Sequence, residues 1–556
     1  MKNVYLKIMN RGFRMMIILT LLSAIAASCS EAEKTPNASM VILIGIDGMS
    51  IPGFQMADTP HMDELVRNGA ISFRTRSVMP TVSGPNWASH LLGAGPEQHG
   101  VSFNGWAKDN IILTPAVTDE KGYFPSVFTV IKEQRPEAIT GFFYDWDVLI
   151  DIFNQDNISK VKYSDFYTET FSKAIPWIIE NRPLLTFLYI GNPDEVGHEF
   201  KWESPEFVKS LEDVDVAIGE LMDKLKEAGL FRDVHFIIAS DHGGIDYGHG
   251  GVSMEEIKVP WIISGPGIIR NRMIEQPNDV FNTASTIVAM LGLEQPWEWI
   301  GRPVKGAFEG SSMADANRRV YVPQPFSNVG GGIYDKDVQI NFTVVPAGPE
   351  IRYTTNGGNP HKNSPLWKAP RLLNESTIIH AAAFDGDHMS RISTVDFIKV
   401  IPVSSIRMTN LPAVRYSAAG PSTLINRQMA SDDFMDGKWL GFQSEDLDAT
   451  LTLTETREVS SVRLGYLYTP NSWIFEPQSL IISGSQDGKE YFELGRLNLS
   501  DINEQMINGR NEIGFTFPPK WLKYLKIHAE NIGVCPPGHP GEGEPAWLFV
   551  DEILVK

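Results

Sequence analysis

Val41-Ile42-Leu43-Ile44-Gly45-Ile46-Asp47-Gly48 is an unbroken apolar run that ends abruptly in an acid and a glycine. No polar residue alternates with the apolar ones, so the run does not read as a strand with one wet face. It reads as a short strand buried on both faces, as in the middle of a parallel sheet. Leu184 to Ile190 and Val234 to Ala239 repeat the pattern, and they lead into Asp194 and into Asp241-His242. Between them Ser204-Pro205 supplies an N-cap and a first-turn proline. Phe207, Leu211, Val214, Ile218, Leu221 and Leu225 then fall on one helical face, and Gly229 marks the stop. Strand and helix alternate from about residue 40 to 310, which predicts an α/β domain with a mostly parallel sheet and helices on both faces.

Beyond residue 310 the texture changes. Runs such as Val338-Gln339-Ile340-Asn341-Phe342-Thr343-Val344 stand between clusters of Gly, Pro and Asn, with no helical period, and predict two small β-sandwich modules. Ser311 to Arg319 reads as the linker into them, and Pro402-Val403-Ser404 as the break between them. The expected layout is thus residues 40–310, 320–400 and 401–556, behind a targeting segment at 1–29. That segment has Lys2, Lys7, Arg11 and Arg14, then the apolar run Met15 to Ala27, then Ala26-Ala27-Ser28-Cys29. The run is too short to span a bilayer, and small residues before a cysteine look like a bacterial lipoprotein signal with Cys29 as the lipid-carrying residue. An exported lipoprotein of the outer membrane, cell surface or periplasm is expected. The 556 residues carry a net charge of -20, which argues against nucleic acid as a general partner. Two cysteines, Cys29 and Cys535, leave no disulfide framework to explain.

The chemistry-bearing residues gather at strand ends. Asp47, Asp194 with His198 four residues on, and Asp241-His242 each follow a buried strand's carboxyl end, where open α/β sheets bind ligands. His249 follows in Gly248-His249-Gly250-Gly251. Three aspartates and three histidines suffice for two divalent metal ions, and mixed imidazole and carboxylate ligation favours zinc over magnesium. In Pro80-Thr81-Val82-Ser83-Gly84-Pro85-Asn86-Trp87, Ser83 stands just before an expected helix, Asn86 to Leu92. A hydroxyl there faces a positive helix end, a favourable place for an anionic substrate, and a metal would activate it.

These pieces, together with Gly95-Pro96-Glu97-Gln98-His99-Gly100-Val101 and Ser240-Asp241-His242-Gly243-Gly244, resemble the alkaline phosphatase superfamily in its type I phosphodiesterase and nucleotide pyrophosphatase branch. The resemblance implies one metal held by Asp47, Ser83, Asp241 and His242, and another held by Asp194, His198 and His249. It implies Ser83 as nucleophile and Asn104 as the asparagine that binds phosphate. Three features depart from the family. Its phosphodiesterases usually carry threonine as nucleophile, and Thr81 is a rival to Ser83. His249 comes only seven residues after His242, where nucleotide pyrophosphatases carry an insertion. Phe143-Tyr144-Asp145-Trp146-Asp147 offers Tyr144 and Trp146 where some phosphomonoesterases keep two cations.

Ile351-Arg352-Tyr353-Thr354-Thr355-Asn356-Gly357-Gly358-Asn359-Pro360 and Thr377 to Phe384 resemble the small β module at the C-terminus of chitobiases and hexosaminidases. Residues 401 to 556 resemble a discoidin, galactose-binding-like sandwich on Asp436-Gly437-Lys438-Trp439, Ser483 to Gly488 and Trp547 to Ile553. Such modules often bind carbohydrate. The expected function is a two-metal phosphoesterase of phosphodiesterase type, acting on a phosphate ester through a phospho-serine. The alternatives are a phosphomonoesterase and, from another class, a surface glycan-binding protein with an inactive hydrolase domain.

Overall fold

The computed structural model of the chain describes residues 35–311, 313, 320–499 and 507–556. Cys29 and most of the expected linker lie outside them. Two compact units emerge. One runs to Gln324 and takes in Val344–Pro349 and Phe384–Ser390; the other comprises Pro325–Thr343, Glu350–Ala383 and Arg391–Lys556.

The first unit is built on a sheet whose strands are β1 (Met40–Ile46), β2 (Gly69–Arg76), β3 (Thr140–Tyr144), β4 (Lys160–Tyr163), β5 (Leu185–Ile190), β6 (Val234–Ala239), β7 (Lys258–Ser264) and β8 (Arg272–Met273). Their spatial order is β4-β3-β5-β1-β6-β7-β2-β8. From β4 to β6 all pairings are parallel, and β7 runs antiparallel to both neighbours. β1 is central, pairing Val41 to Ile46 with Leu185 to Ile190 on one side and Met40 to Gly45 with Val234 to Ala239 on the other.

The unbroken apolar run of β1 has a direct cause. Val41 and Leu43 feed one core, Ile42 and Ile44 the other, so both faces of the strand are dry. Helix α1 (Ser83–Leu92) packs into the first core through Trp87 and Leu91. Gly45 makes that packing possible, because a Cβ there would stand 2.5 Å from the Trp87 ring. On the opposite face, α3 (Pro205–Glu227) buries Phe207, Leu211, Val214, Ile218, Leu221 and Leu225, and the Ser204 hydroxyl caps it by accepting the Phe207 N–H at 3.1 Å. Between β5 and α3 lies α2 (Asn192–Phe200). Among the described residues no helix is long and apolar enough to cross a membrane.

The second unit is entirely β in its long elements. One sheet runs Gly332–Tyr334, Ser393–Lys399, Thr377–Asp385, Glu350–Thr354 around Tyr353, Ile379, Ala381 and Phe397. A seven-stranded antiparallel sheet is built on the long pair Leu447–Tyr468 and Gly509–Glu530. Val403–Met408 pairs into this second sheet, so the chain changes sheets at Pro402.

Candidate active site

Asp47 is the first residue past β1 and is 1% exposed. Its Oδ2 accepts hydrogen bonds from the Trp87 indole N–H at 3.0 Å and the Tyr189 hydroxyl at 2.5 Å. Its Oδ1 is buried with no hydrogen-bond partner and stands 3.4 Å from His242 Nε2. Asp241 and His242 follow β6 and are fully buried. Asp241 Oδ1 accepts the Gly48 N–H at 3.1 Å, while Oδ2 has no hydrogen-bond donor and lies 3.1 Å from His242 Nε2.

Asp194 and His198 occupy α2, where a spacing of four puts both on one face. Asp194 Oδ1 is also buried without a hydrogen-bond partner, 3.5 Å from His249 Nε2. His198 Nε2 lies 3.1 Å from His249 Nε2. The His242 and His249 rings stack with centroids 3.7 Å apart.

The histidine tautomers follow from backbone contacts. His242, His198 and His249 each direct Nδ1 at a carbonyl oxygen, of Gly243, Tyr247 and Thr81 respectively, at 2.9 Å. A carbonyl can only accept, so Nδ1 of each ring carries a proton and Nε2 is the atom turned to the carboxylates. Three Nε2 atoms therefore converge on three carboxylate oxygens that have no hydrogen-bond partner. Burial, followed by the nearby Asp47, raises both Asp194 and Asp241 well above the usual carboxylate range. Burial and then His242 push His249 down to about 4. Burial out of water thus disfavours the charged carboxylates, and bound cations would offset that cost. The residues fit two metal sites. Asp194, His198 and His249 form one compact set of donor atoms and Asp47, Asp194 and His242 another, with Asp241 Oδ2 beside the second.

Ser83 is the first residue of α1, so the helix begins three residues earlier than Asn86. A proline in the first turn does not interrupt a helix, which is why Gly84-Pro85 lies inside it. Ser83 Oγ is 3.3 Å from His242 Nε2. The Gly84 N–H donates to Asn104 Oδ1 at 2.7 Å, which fixes that side chain and leaves its Nδ2 end as the donor. Thr81 is tied differently. Its hydroxyl donates to Gly251 O at 2.8 Å and accepts the Gly250 N–H at 3.1 Å, so it braces the loop that carries His249.

Tyr144 is a core residue, edge-on to Phe142 and Tyr163. Trp146 is half-buried and leans on Tyr189 with centroids 6.0 Å apart. Asp145 accepts the Gly191 N–H at 2.9 Å, and burial raises it to about 7. His90 and His99 are structural. His90 bonds Thr283 Oγ1 and Ser240 O, and His99 bonds Ser89 Oγ and the Val101 N–H. Trp87, Tyr189 and Trp202, all in contact with the site, carry no signal in the sequence, because an aromatic beside an apolar run reads as core.

Residues 41–259 match the family described as type I phosphodiesterase / nucleotide pyrophosphatase, and residues 329–394 the chitobiase/β-hexosaminidase C-terminal domain. Among curated proteins, bis(5'-adenosyl)-triphosphatase ENPP4 of Bos taurus is 25% identical over 237 residues, 41% of this chain and 52% of that protein. Ectonucleotide pyrophosphatase/phosphodiesterase family member 1 of Homo sapiens is 29% identical over 193 residues, 33% of this chain and 21% of that protein. The chain thus spans about half the length of the first relative and about a fifth of the second. Human ectonucleotide pyrophosphatase/phosphodiesterase 5 superposes with a TM-score of 0.41 at 17% identity, covering 49% of this chain and 100% of that one. By these matches residues 41–259 are similar to the type I phosphodiesterase / nucleotide pyrophosphatase family, and residues 329–394 to chitobiase/β-hexosaminidase C-terminal domains.

Proposed function

We propose that this chain is a two-metal phosphodiesterase of the nucleotide pyrophosphatase type that works through a phospho-serine on Ser83. The observation that carries the reading is the convergence of carboxylate oxygens without hydrogen-bond partners and imidazole Nε2 atoms beside one serine hydroxyl. Asp47, Asp241, His242 and Ser83 would hold one ion and Asp194, His198 and His249 the other, with zinc favoured by the mixed ligands. Bound ions supply activation of the serine hydroxyl and neutralisation of charge on the phosphoryl and leaving oxygens.

The chain's own residues do the rest. Ser83 Oγ forms a bond to phosphorus as the bond to the leaving alcohol breaks. Water then cleaves the seryl phosphate, releasing phosphate monoester and restoring the serine. Asn104 Nδ2 holds a non-bridging oxygen, and the Gly84 N–H holds Asn104. The relatives' names point to nucleotide diesters and pyrophosphates as the substrate class. The C-terminal β modules, the second of discoidin type, would add a carbohydrate contact, and lipid on Cys29 would hold the enzyme at the envelope. Elemental analysis of the purified chain, together with turnover before and after chelation, tests the reading. Two ions and metal-dependent turnover are expected; full activity without metal overturns it.

A further inference from the structure

Trp202 lies between α2 and α3, 1% exposed. A core tryptophan ordinarily needs burial and one acceptor for its N–H. This one meets the segments that carry both ligand sets. The indole N–H donates to Gly48 O at 2.9 Å, and the Gly48 N–H in turn donates to Asp241 Oδ1 at 3.1 Å. The same ring stands edge-on to His198 at 5.2 Å and 89° and to His249 at 5.9 Å and 66°. Its own backbone N–H donates to Asp246 O at 2.8 Å, in the short loop between His242 and His249.

The surrounding backbone is shaped to this ring. A Cβ at Gly197, one residue before His198, would meet it at 2.8 Å. A Cβ at Gly244, two residues after His242, would meet it at 2.2 Å. Two glycines that flank ligands are thus the residues that admit the indole. His198 needs the support most, since its side chain is 45% exposed and α2 ends two residues on.

We propose that Trp202 is a positioning residue that sets the affinity of the Asp194–His198–His249 site, by fixing both imidazoles against the turn that follows Asp47. This rests on the two-metal reading above. Removing the indole lets both rings rotate away from the approach that brings their Nε2 atoms to 3.1 Å. The Asp47–Asp241–His242 set keeps its own supports from Trp87, Tyr189 and the Gly243 carbonyl.

The test is a titration of the metal-free full chain with Co2+, read by visible absorbance, for wild type, Trp202→Ala and Trp202→Phe. His198→Ala serves as the one-site reference. In Trp202→Ala the second ion should bind about 10–100-fold more weakly, as for other residues that orient metal ligands, with a clearly smaller loss at the first, which Trp202 reaches only through Gly48. Trp202→Phe, which keeps a ring but loses the N–H, should recover part of that loss. Equal weakening of both ions, or two ions as tight as in wild type, overturns the role of Trp202. If Trp202→Ala fails to fold by circular dichroism, Trp202→Phe decides alone: a selectively weaker second ion supports the role, and an unchanged titration overturns it. A wild-type chain that takes up no Co2+ overturns the metal reading itself.

Discussion

His198 Nε2 and His249 Nε2 face each other at 3.1 Å while both rings give their Nδ1 protons to backbone carbonyls. Both Nε2 atoms thus face the same space, which a bound cation would bridge. Stripping metal should therefore destabilise the first unit as well as silence it. Ions present at about 100 times their dissociation constant add about 2.7 kcal/mol. For a unit of about 300 residues that corresponds to a fall in Tm of roughly 4 °C per ion on chelation. Thermal melts with and without chelator, followed by restoration with Zn2+, check this; an unchanged Tm contradicts it.

Ser83→Ala should cut kcat by on the order of a thousandfold or more, as loss of a covalent nucleophile does, while six protein ligands remain. Thr81→Ala removes the hydroxyl bonds to Gly250 and Gly251 but no attacking atom. It should cost about 1–2 kcal/mol of stability and leave kcat within roughly tenfold. Ser83→Thr should stay active. Rapid-quench labelling with radioactive phosphate substrate should mark the peptide containing Ser83. Label on Thr81 would reverse the assignment.

An aryl phosphate diester should outcompete the monoester in kcat/KM. The stretch Phe143 to Asp147 carries no cation to grip a dianionic phosphate, and its Asp145 is an acid. Side-by-side assays decide, and a strong monoester preference would contradict the prediction.

His99 is fully buried and neutral, pushed down to about 3 by burial. The unfolded chain takes up a proton below about 6.5, and the folded chain does not until far lower. The stability it contributes is thus present above about pH 6.5 and is lost as pH falls toward 3. Asp63 and Asp145, held near 7, titrate with the opposite sign, so the informative quantity is a difference. Between pH 7.5 and pH 5 the advantage of wild type over His99→Gln should shrink by about 2 kcal/mol. Denaturant melts at both pH values measure it.

Cys29→Ser should release the protein from membranes into the soluble fraction. Unchanged fractionation would place the anchor elsewhere.

Much of the first unit is written in runs of apolar residues that end in acids. β1 and β6 deliver Asp47 and Asp241 by direct continuation, so a strand-end reading finds them. Asp194-x-x-x-His198 is visible as a spacing, but only the helix shows why four residues bring the side chains together. The start of α1 was hidden by Gly84-Pro85, which resembles a break until first-turn geometry is considered. Tyr144 stands in sequence where some phosphomonoesterases keep a cation but is buried in the core, because a five-residue strand carries too little pattern to tell its faces apart. The hydroxyl of Tyr189 and the indoles of Trp87 and Trp202 point at ligands only through tertiary packing, and nothing local encodes that.

β1 pairs with β5 and β6, which come from roughly 140 and 190 positions further along the chain. A nascent polypeptide therefore completes one ligand set only once His242 has been synthesised and the other only with His249, and both need the central strands to have come together. If metal binds, it should lock this fold rather than seed it. Uptake of the ions should thus be a late event, so that a truncated or stalled chain carries no stray hydrolytic activity.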